Sequence, residues 1–347
     1  MLAGLLLVAT GLSACNDQDK LPALGADLSQ TSVSGLSSGA YMAGQFHFAH
    51  ARIVVGAGIV AGGPYGCAES VFGGLAPVWS VALAQNLNRA VNGCTGTAMS
   101  SLGVPDVSRL EQRAGARARE GKIDPLENLK NDRVYLFAGN ADRTVAPSLV
   151  RKAADLYKAS GISTDNIELR MDVSAGHGFA TVDEGVSCET SGAPFLNDCD
   201  YDQAGAILKH IYGELQKTGG SGAGELLLFS QGEFTSGSGH GLDGTGAVFI
   251  PDRCRDATRC RVHVAFHGCR QSRQAVGDAF VEGAGYNRWA ATNKLIMLYP
   301  QIAKSALNPR GCWDWWGYTG PDFLTRDGLQ IKAVRAMLER LAQSRES

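Results

Sequence analysis

From Thr31 onward, short apolar runs alternate with segments of helical period. TSVSG (31–35) predicts a strand, LSSG (36–39) a sharp turn, and AYMAGQFHFAHA (40–51) a helix. IVVGAGIVAGG (53–63) reads as a second strand. RVYLFAGNADRTV (133–145) and IELRMDVSAGHG (167–178) each read as a strand running into a loop, with a helical PSLVRKAADLYKAS (147–160) between them. After a cysteine-bearing loop, YDQAGAILKHIYGELQK (201–217) has an amphipathic helical pattern. TGGSGAG (218–224) is linker-like, yet strand-like ELLLFSQGEF (225–234), CRVHVAFHGC (260–269) and KLIMLYPQ (294–301) follow it. A closing helix is predicted near Asp327 to Gln343. Strands alternating with helices predict an α/β fold with a mostly parallel sheet and helices on both faces.

At 347 residues the chain exceeds the usual length of one domain, but the units beyond 224 continue the earlier pattern, so one enlarged domain over 26–347 is expected. With 44% hydrophobic and 19% charged residues the composition is globular. A net charge of −2 without polybasic runs leaves no electrostatic footprint for nucleic acid or anionic lipid.

The run MLAGLLLVATGLSAC (1–15) is too short to span a bilayer and suits a signal-peptide core, with 16–25 as a short linker. Leu12-Ser13-Ala14-Cys15 resembles a bacterial lipobox, so Cys15 is a candidate for lipidation and the protein is expected to be exported, to the periplasm or beyond. The plain alternative is a cleaved signal with an incidental cysteine; no Lys or Arg precedes Lys20. Eight further cysteines suggest four disulfides. Short loop closure favours Cys188–Cys199 and Cys254–Cys260, after which Cys67–Cys94 and Cys269–Cys312 follow. No CxxC or HExxH motif supports a metal site, and no cofactor is expected. His47 and His50 read as packed or surface residues of a helix.

Gly35-Leu36-Ser37-Ser38-Gly39 fits GxSxG, in which small residues permit the strained strand-to-helix turn that lifts a nucleophilic serine. In a chain with 44 glycines the pentapeptide alone is weak; the strand before it and the helix after it give it weight. A serine needs a base and the base an orienting acid. His177 and Asp142 each lie just past a predicted strand, and the order Ser37, Asp142, His177 is that of α/β hydrolases. Singly, Asp142 reads equally well as a turn or cap residue and His177 as a loop histidine. The second oxyanion donor of such enzymes comes from a His-Gly turn upstream of the serine, whereas here the matching His267-Gly268-Cys269 lies far downstream. Cutting the ordinary fold before the nucleophile strand and joining its old ends near 218–224 produces this order, so a circularly permuted α/β-hydrolase fold is predicted.

GLSSGAYMA, GNADRTV, SAGHG, AFHGCRQS and NPRGCWDWWGY together resemble the poly(3-hydroxybutyrate) depolymerases with the lipase box at the start of the catalytic domain. The resemblance covers nearly all of the chain after about residue 26. It implies Ser37, Asp142 and His177 as the triad, the backbone N–H groups of Ser38 and Cys269 as the oxyanion hole, and a Cys269–Cys312 bridge. It also implies a polyester or oligoester as substrate. Family members often append a polymer-binding domain; none follows here, which is expected to weaken attack on crystalline polymer. Trp313, Trp315 and Trp316 are candidate substrate-binding walls, with at least one expected in the core. The same machinery would serve a carbohydrate esterase that removes acetyl or feruloyl groups. A scaffold that binds hydrophobic ligands without turnover is the non-enzymatic alternative.

Overall fold

The apolar runs pair into one eight-stranded sheet in a computed structural model that describes residues 20–69, 79–96, 105–216, 223–256 and 259–345. In chain order the strands are β1 (Thr31–Leu36), β2 (Val54–Val60), β3 (Arg133–Phe137), β4 (Ile167–Arg170), β5 (Phe179–Thr181), β6 (Val186–Ser187), β7 (Leu196–Asp198), β8 (Gly224–Ser230), β9 (Thr245–Pro251), β10 (Arg261–Phe266) and β11 (Leu295–Tyr299). Across the sheet the order is β4-β3-β2-β1-β10-β11-β9-β8, while β5, β7 and β6 form a separate small sheet inside what reads in sequence as a cysteine loop. Only β9 is reversed, antiparallel to both β8 and β11. Strands buried on both faces need continuous apolar runs. In β11, Ile296 and Leu298 enter one core, and Leu295, Met297 and Tyr299 the other.

Counted from β8, the sheet order reads 1-2-4-3-5-6-7-8 with the second strand reversed, which is the α/β-hydrolase sheet opened before its fifth strand. The fold is therefore a circularly permuted α/β hydrolase. Of the proposed join at 218–224, residues 218–222 lie outside the described residues, and Gly224 already opens β8. The signal-like segment 1–15 with Cys15 lies outside them too.

The helices are α1 (Ser38–Ala49), α2 (Trp79–Asn92), α3 (Val107–Arg119), α4 (Pro147–Ala159), α5 (Gln203–Tyr212), α6 (Arg253–Asp256), α7 (Arg273–Val276), α8 (Ala279–Gly283), α9 (Tyr286–Asn293) and α10 (Leu329–Ala342). One face of the sheet packs on α1, α3, α4 and α10, the other on α5, α8 and α9. Helix α5 buries Ile207, Leu208 and Ile211 and is capped by Asp202, whose carboxylate accepts the Gly205 N–H at 2.8 Å. All of α1 is buried, which its lack of charged residues allows. Helix α3 was not expected: Leu110 and Ala114 are its buried positions, and its arginines mask the apolar period.

The expected linker 16–25 needs correction. Residues 16–19 lie outside the described residues, but Leu21 and Leu24 are buried in the core, and the N–H groups of Leu24 and Gly25 donate to the carbonyls of Leu341 and Gln343. The segment from residue 20 is thus part of the folded body, adding apolar area at the end of α10. Four disulfides close Cys67–Cys94, Cys188–Cys199, Cys254–Cys260 and Cys269–Cys312.

Three buried histidines are held neutral. His263 lies between Ser32 Oγ (2.6 Å) and Ser34 Oγ (2.7 Å) and is pushed down to about 3 by burial. His267 and His50 are pushed down to about 4, again chiefly by burial. The unfolded chain protonates these rings near pH ~6.5 and the native protein does not, so unfolding takes up protons and stability falls as pH drops from about 6.5 toward 4. Each ring contributes a slope of about 1.4 kcal/mol per pH unit in that window. Urea midpoints between pH 5 and 6 should therefore rise with pH, and a flat profile would contradict the neutral assignment. Leu21→Ala should cost about 2–5 kcal/mol, read by the same urea titration at neutral pH, whereas a true linker position would cost nothing.

Candidate active site

Strand β1 ends at Leu36 and α1 begins at Ser38, so the chain reverses about a single residue. Ser37 takes φ 58° and ψ −120°, a conformation that side-chain-bearing residues rarely adopt. The turn closes because of the glycines around it. A Cβ on Gly35 would run into the backbone of Gly39, and a Cβ on Gly39 into the carbonyls of Phe266 and His267. The Ser37 N–H donates to the Val60 carbonyl at 2.9 Å, and the Ser37 carbonyl accepts from Ala40 and Tyr41. Its side chain is half-buried, and its hydroxyl has no hydrogen-bond partner among the described residues.

The Ser37 N–H to Val60, Ala61 N–H to Phe137 and Ala138 N–H to Arg170 bonds step across the strand ends, so the loops after β1, β2, β3 and β4 leave one edge of the sheet. Asp142 comes from the loop after β3 and His177 from the segment after β4. Gly139 sits so close to Ala175 that a Cβ would strike its carbonyl, and that carbonyl also accepts the Ala141 N–H at 3.2 Å. This contact brings the two loops together. His177 Nδ1 lies 2.8 Å from Asp142 Oδ2, with both residues buried. Asp142 Oδ1 accepts the N–H groups of Thr144 (2.7 Å) and Val145 (3.0 Å), so the carboxylate shapes its own turn as well as holding the imidazole. A carboxylate on Nδ1 makes that nitrogen the donor and leaves Nε2 as the basic one. The His177 main-chain N–H donates to Ser191 Oγ at 2.8 Å. Gly176 admits the carbonyls of Glu189 and Thr190, and Gly178 the side-chain amide of Asn197, where a Cβ would clash.

The turn after β10 is bonded almost throughout. His267 Nδ1 donates to the Gly268 carbonyl (2.7 Å) while Nε2 accepts the Ile302 N–H (3.1 Å). The Gly268 N–H donates to Gln271 Oε1 (2.7 Å), that of Arg270 to Arg310 (2.7 Å) and that of Gln271 to Gly268 (3.2 Å). The Cys269 N–H donates to no described residue, and neither does that of Ser38. These two amides belong to segments linked by the Cys269–Cys312 disulfide and by the Trp313 N–H, which donates to Ser38 Oγ at 3.3 Å. Unspent amides at a helix N-terminus and in an adjacent rigid turn are suited to a developing oxyanion.

The tryptophans divide. Trp313 is fully buried against Phe266 and His267, so it offers no face to a ligand and is removed from the candidate walls. Trp316 is buried too, packed edge-on against Trp315. Trp315 is partly exposed and stacks on Tyr41 at 4.4 Å, which leaves it as the one exposed tryptophan of the three. Asp314, unremarked in the sequence, shapes the run. Its carboxylate accepts the N–H groups of Trp316, Gly317, Tyr318 and Thr319 and the Thr319 hydroxyl. Gln271 was also missed, since a polar residue after HGC carries no signal of its two-sided bonding. Among the described residues no group of three or more His, Cys, Asp or Glu is placed to hold a metal. None of their helices is long and apolar enough to cross a membrane.

No protein-family model matches the chain. Among curated proteins it is 38% identical over 346 residues to a poly(3-hydroxybutyrate) depolymerase of Delftia acidovorans, covering 98% of this chain and 65% of that protein. It thus spans about two thirds of the Delftia enzyme's length. It is 34% identical over 341 residues to a polyhydroxybutyrate depolymerase of Talaromyces funiculosus, covering 92% of each. Two solved structures superpose on it, each 32% identical and covering 93% of this chain and 98% of theirs. One is the PHB depolymerase from Penicillium funiculosum, with a TM-score of 0.78. The other is a PHB depolymerase with a serine-to-alanine substitution, complexed with an R3HB trimer, with a TM-score of 0.79. With 34% identity over 92% of both this chain and the Talaromyces protein, and on fold, this protein belongs to the polyhydroxybutyrate depolymerase family.

Proposed function

We propose that the chain is a serine esterase that hydrolyses the ester bonds of poly(3-hydroxybutyrate) or related polyhydroxyalkanoates and their oligomers through an acyl-enzyme. The observation that carries the proposal is the buried 2.8 Å pair of His177 and Asp142, on the same sheet edge as a serine held in a strained elbow. In this reading Nε2 of neutral His177 takes the Ser37 proton as the hydroxyl oxygen attacks the ester carbonyl. The tetrahedral oxyanion is received by the N–H groups of Ser38 and Cys269. The imidazolium, stabilised by Asp142, protonates the leaving alkoxide. Water, deprotonated by the same ring, then attacks the acyl carbon, and the ring returns that proton to the Ser37 oxygen as the bond to it breaks and the hydroxy acid leaves. No cofactor enters.

Apolar ester repeats would lie along the partly exposed Trp315, whose inner face stacks on the buried Tyr41 ring. Export to an oxidising compartment, periplasmic or extracellular, accords with four disulfides and with the apolar run at residues 1–15; anchoring through Cys15 is the finer proposal.

Ser37→Ala should abolish ester hydrolysis and labelling by an organophosphonate; full retained activity would refute the assignment. Asp142→Asn should lower kcat by about 10⁴-fold while leaving the protein folded, because the wrong imidazole tautomer is then favoured. On a panel of hydroxybutyrate oligomers, amorphous polyester, and acetylated and feruloylated xylan, release is expected from the polyesters. Preferential release from the xylans would move the enzyme to the carbohydrate esterases.

A further inference from the structure

We infer that Gln271 is a positioning residue for ester hydrolysis, a brace that couples the oxyanion turn to the β6–β7 loop, which packs on the segment carrying the general base. The inference rests on the roles proposed above for Ser37, His177 and Cys269. Gln271 is almost fully buried, and its amide is used at both ends. Oε1 accepts the Gly268 N–H at 2.7 Å, while Nε2 donates to the carbonyls of Phe195 (2.9 Å) and Pro194 (3.2 Å).

The accepting end selects which amide of the turn stays free. With Gly268 bonded to Gln271, Arg270 to Arg310 and Gln271 to Gly268, the Cys269 N–H alone among residues 268–271 has no acceptor in the described protein. The donating end reaches the segment that frames His177. The Phe195 carbonyl also accepts the N–H of Phe179, two residues past the imidazole. In the same loop Asn197 donates to the carbonyls of Cys188 (2.6 Å) and Thr190 (2.7 Å), next to the Ser191 hydroxyl that accepts the His177 N–H. One side chain thus joins a turn that follows β10 to the loop between β6 and β7, which in turn holds the segment after β4 through the Phe179 N–H and the Ser191 hydroxyl. Only a primary amide offers an acceptor oxygen and two N–H donors from a single carbon.

The test compares native protein with Gln271→Met, which keeps the volume and loses both ends, and Gln271→Glu, which keeps the accepting oxygen and loses the donor. A soluble hydroxybutyrate oligomer serves as substrate and a boronic acid as tetrahedral mimic, with thermal unfolding measured alongside. Gln271→Met should lower kcat about 100-fold with KM within about threefold, and weaken boronate inhibition in parallel. Gln271→Glu should recover about tenfold of that loss, because the Gly268 N–H is again held. A kcat within about twofold of native in folded Gln271→Met overturns the inference, as does a loss that tracks thermal stability while boronate affinity stays native. Should the Met variant not fold, Gln271→Glu decides alone: an undiminished kcat and boronate affinity overturn the inference, and a parallel drop in both supports it. Failure of both to fold assigns Gln271 to the fold and overturns it too. Ser37→Ala run beside them separates the two readings, since an active Ser37→Ala defeats the underlying mechanism, whereas an inert one with native-like Gln271 variants defeats the brace alone.

Discussion

The backbone of Phe266 and His267 occupies the space that a side chain at residue 39 would need, and the backbones of Gly35 and Gly39 press together in the same way. This contact of bare main chain sets the geometry of the candidate site. It lets β1 turn into α1 about a serine with positive φ, and it puts the β10 turn against the first residues of that helix. The strained dihedral persists because α1 is buried along its whole length and cannot relax outward. Beneath the turn, His263 bonds to both Ser32 and Ser34, so the same two strands are locked in register by a neutral ring in the core. Segments more than two hundred residues apart thus meet without adjustable side chains between them.

The remaining parts are fitted to this contact by close approaches of the same kind. Gly139 and Ala175 bring the acid and base loops together, and Gly176 and Gly178 let the small β5-β7-β6 sheet lie against the histidine. The glycines at this end of the sheet are therefore there to let backbones interlock. Polar groups there are largely spent on one another, from Asp142 holding its own turn to Asp314 gathering the N–H groups of the aromatic run. The Ser38 and Cys269 amides have no such partner among the described residues, and neither do the buried Asn197 Oδ1, Ser272 Oγ and the indole N–H groups of Trp313 and Trp315.

The mostly parallel sheet was readable because seven of its eight strands stand out as apolar runs, and the permutation because an HGC turn so late in the chain fits the hydrolase order only in that way. Ser37, Asp142 and His177 stand out in the sequence as candidates for a related reason: each lies in a Gly-marked loop just past an apolar run. Elements whose signal is tertiary were not legible. β9 (Thr245–Pro251) does not stand out in the sequence as a strand, and its reversal is decided by the neighbours it joins. Leu21 and Leu24 look like linker residues until the end of α10 is seen beside them. Trp313 and Trp315 share one motif, and only the position of Phe266 consigns the first to the interior. Gln271 is invisible in sequence since its value lies in reaching two loops at once.

The docking of residues 24–26 on the last turn of α10 has one more consequence. Gly25 and Asp27 also bond to Arg259 and Cys260, just before β10 begins, so this junction lies at the foot of the parallel strands, opposite the edge that carries Ser37. Both ends of the folded body issue from that pole. Any tether attached there, whether a lipid, a surface or a fused module, would hold the molecule by its base and leave the rim that carries Ser37 facing outward.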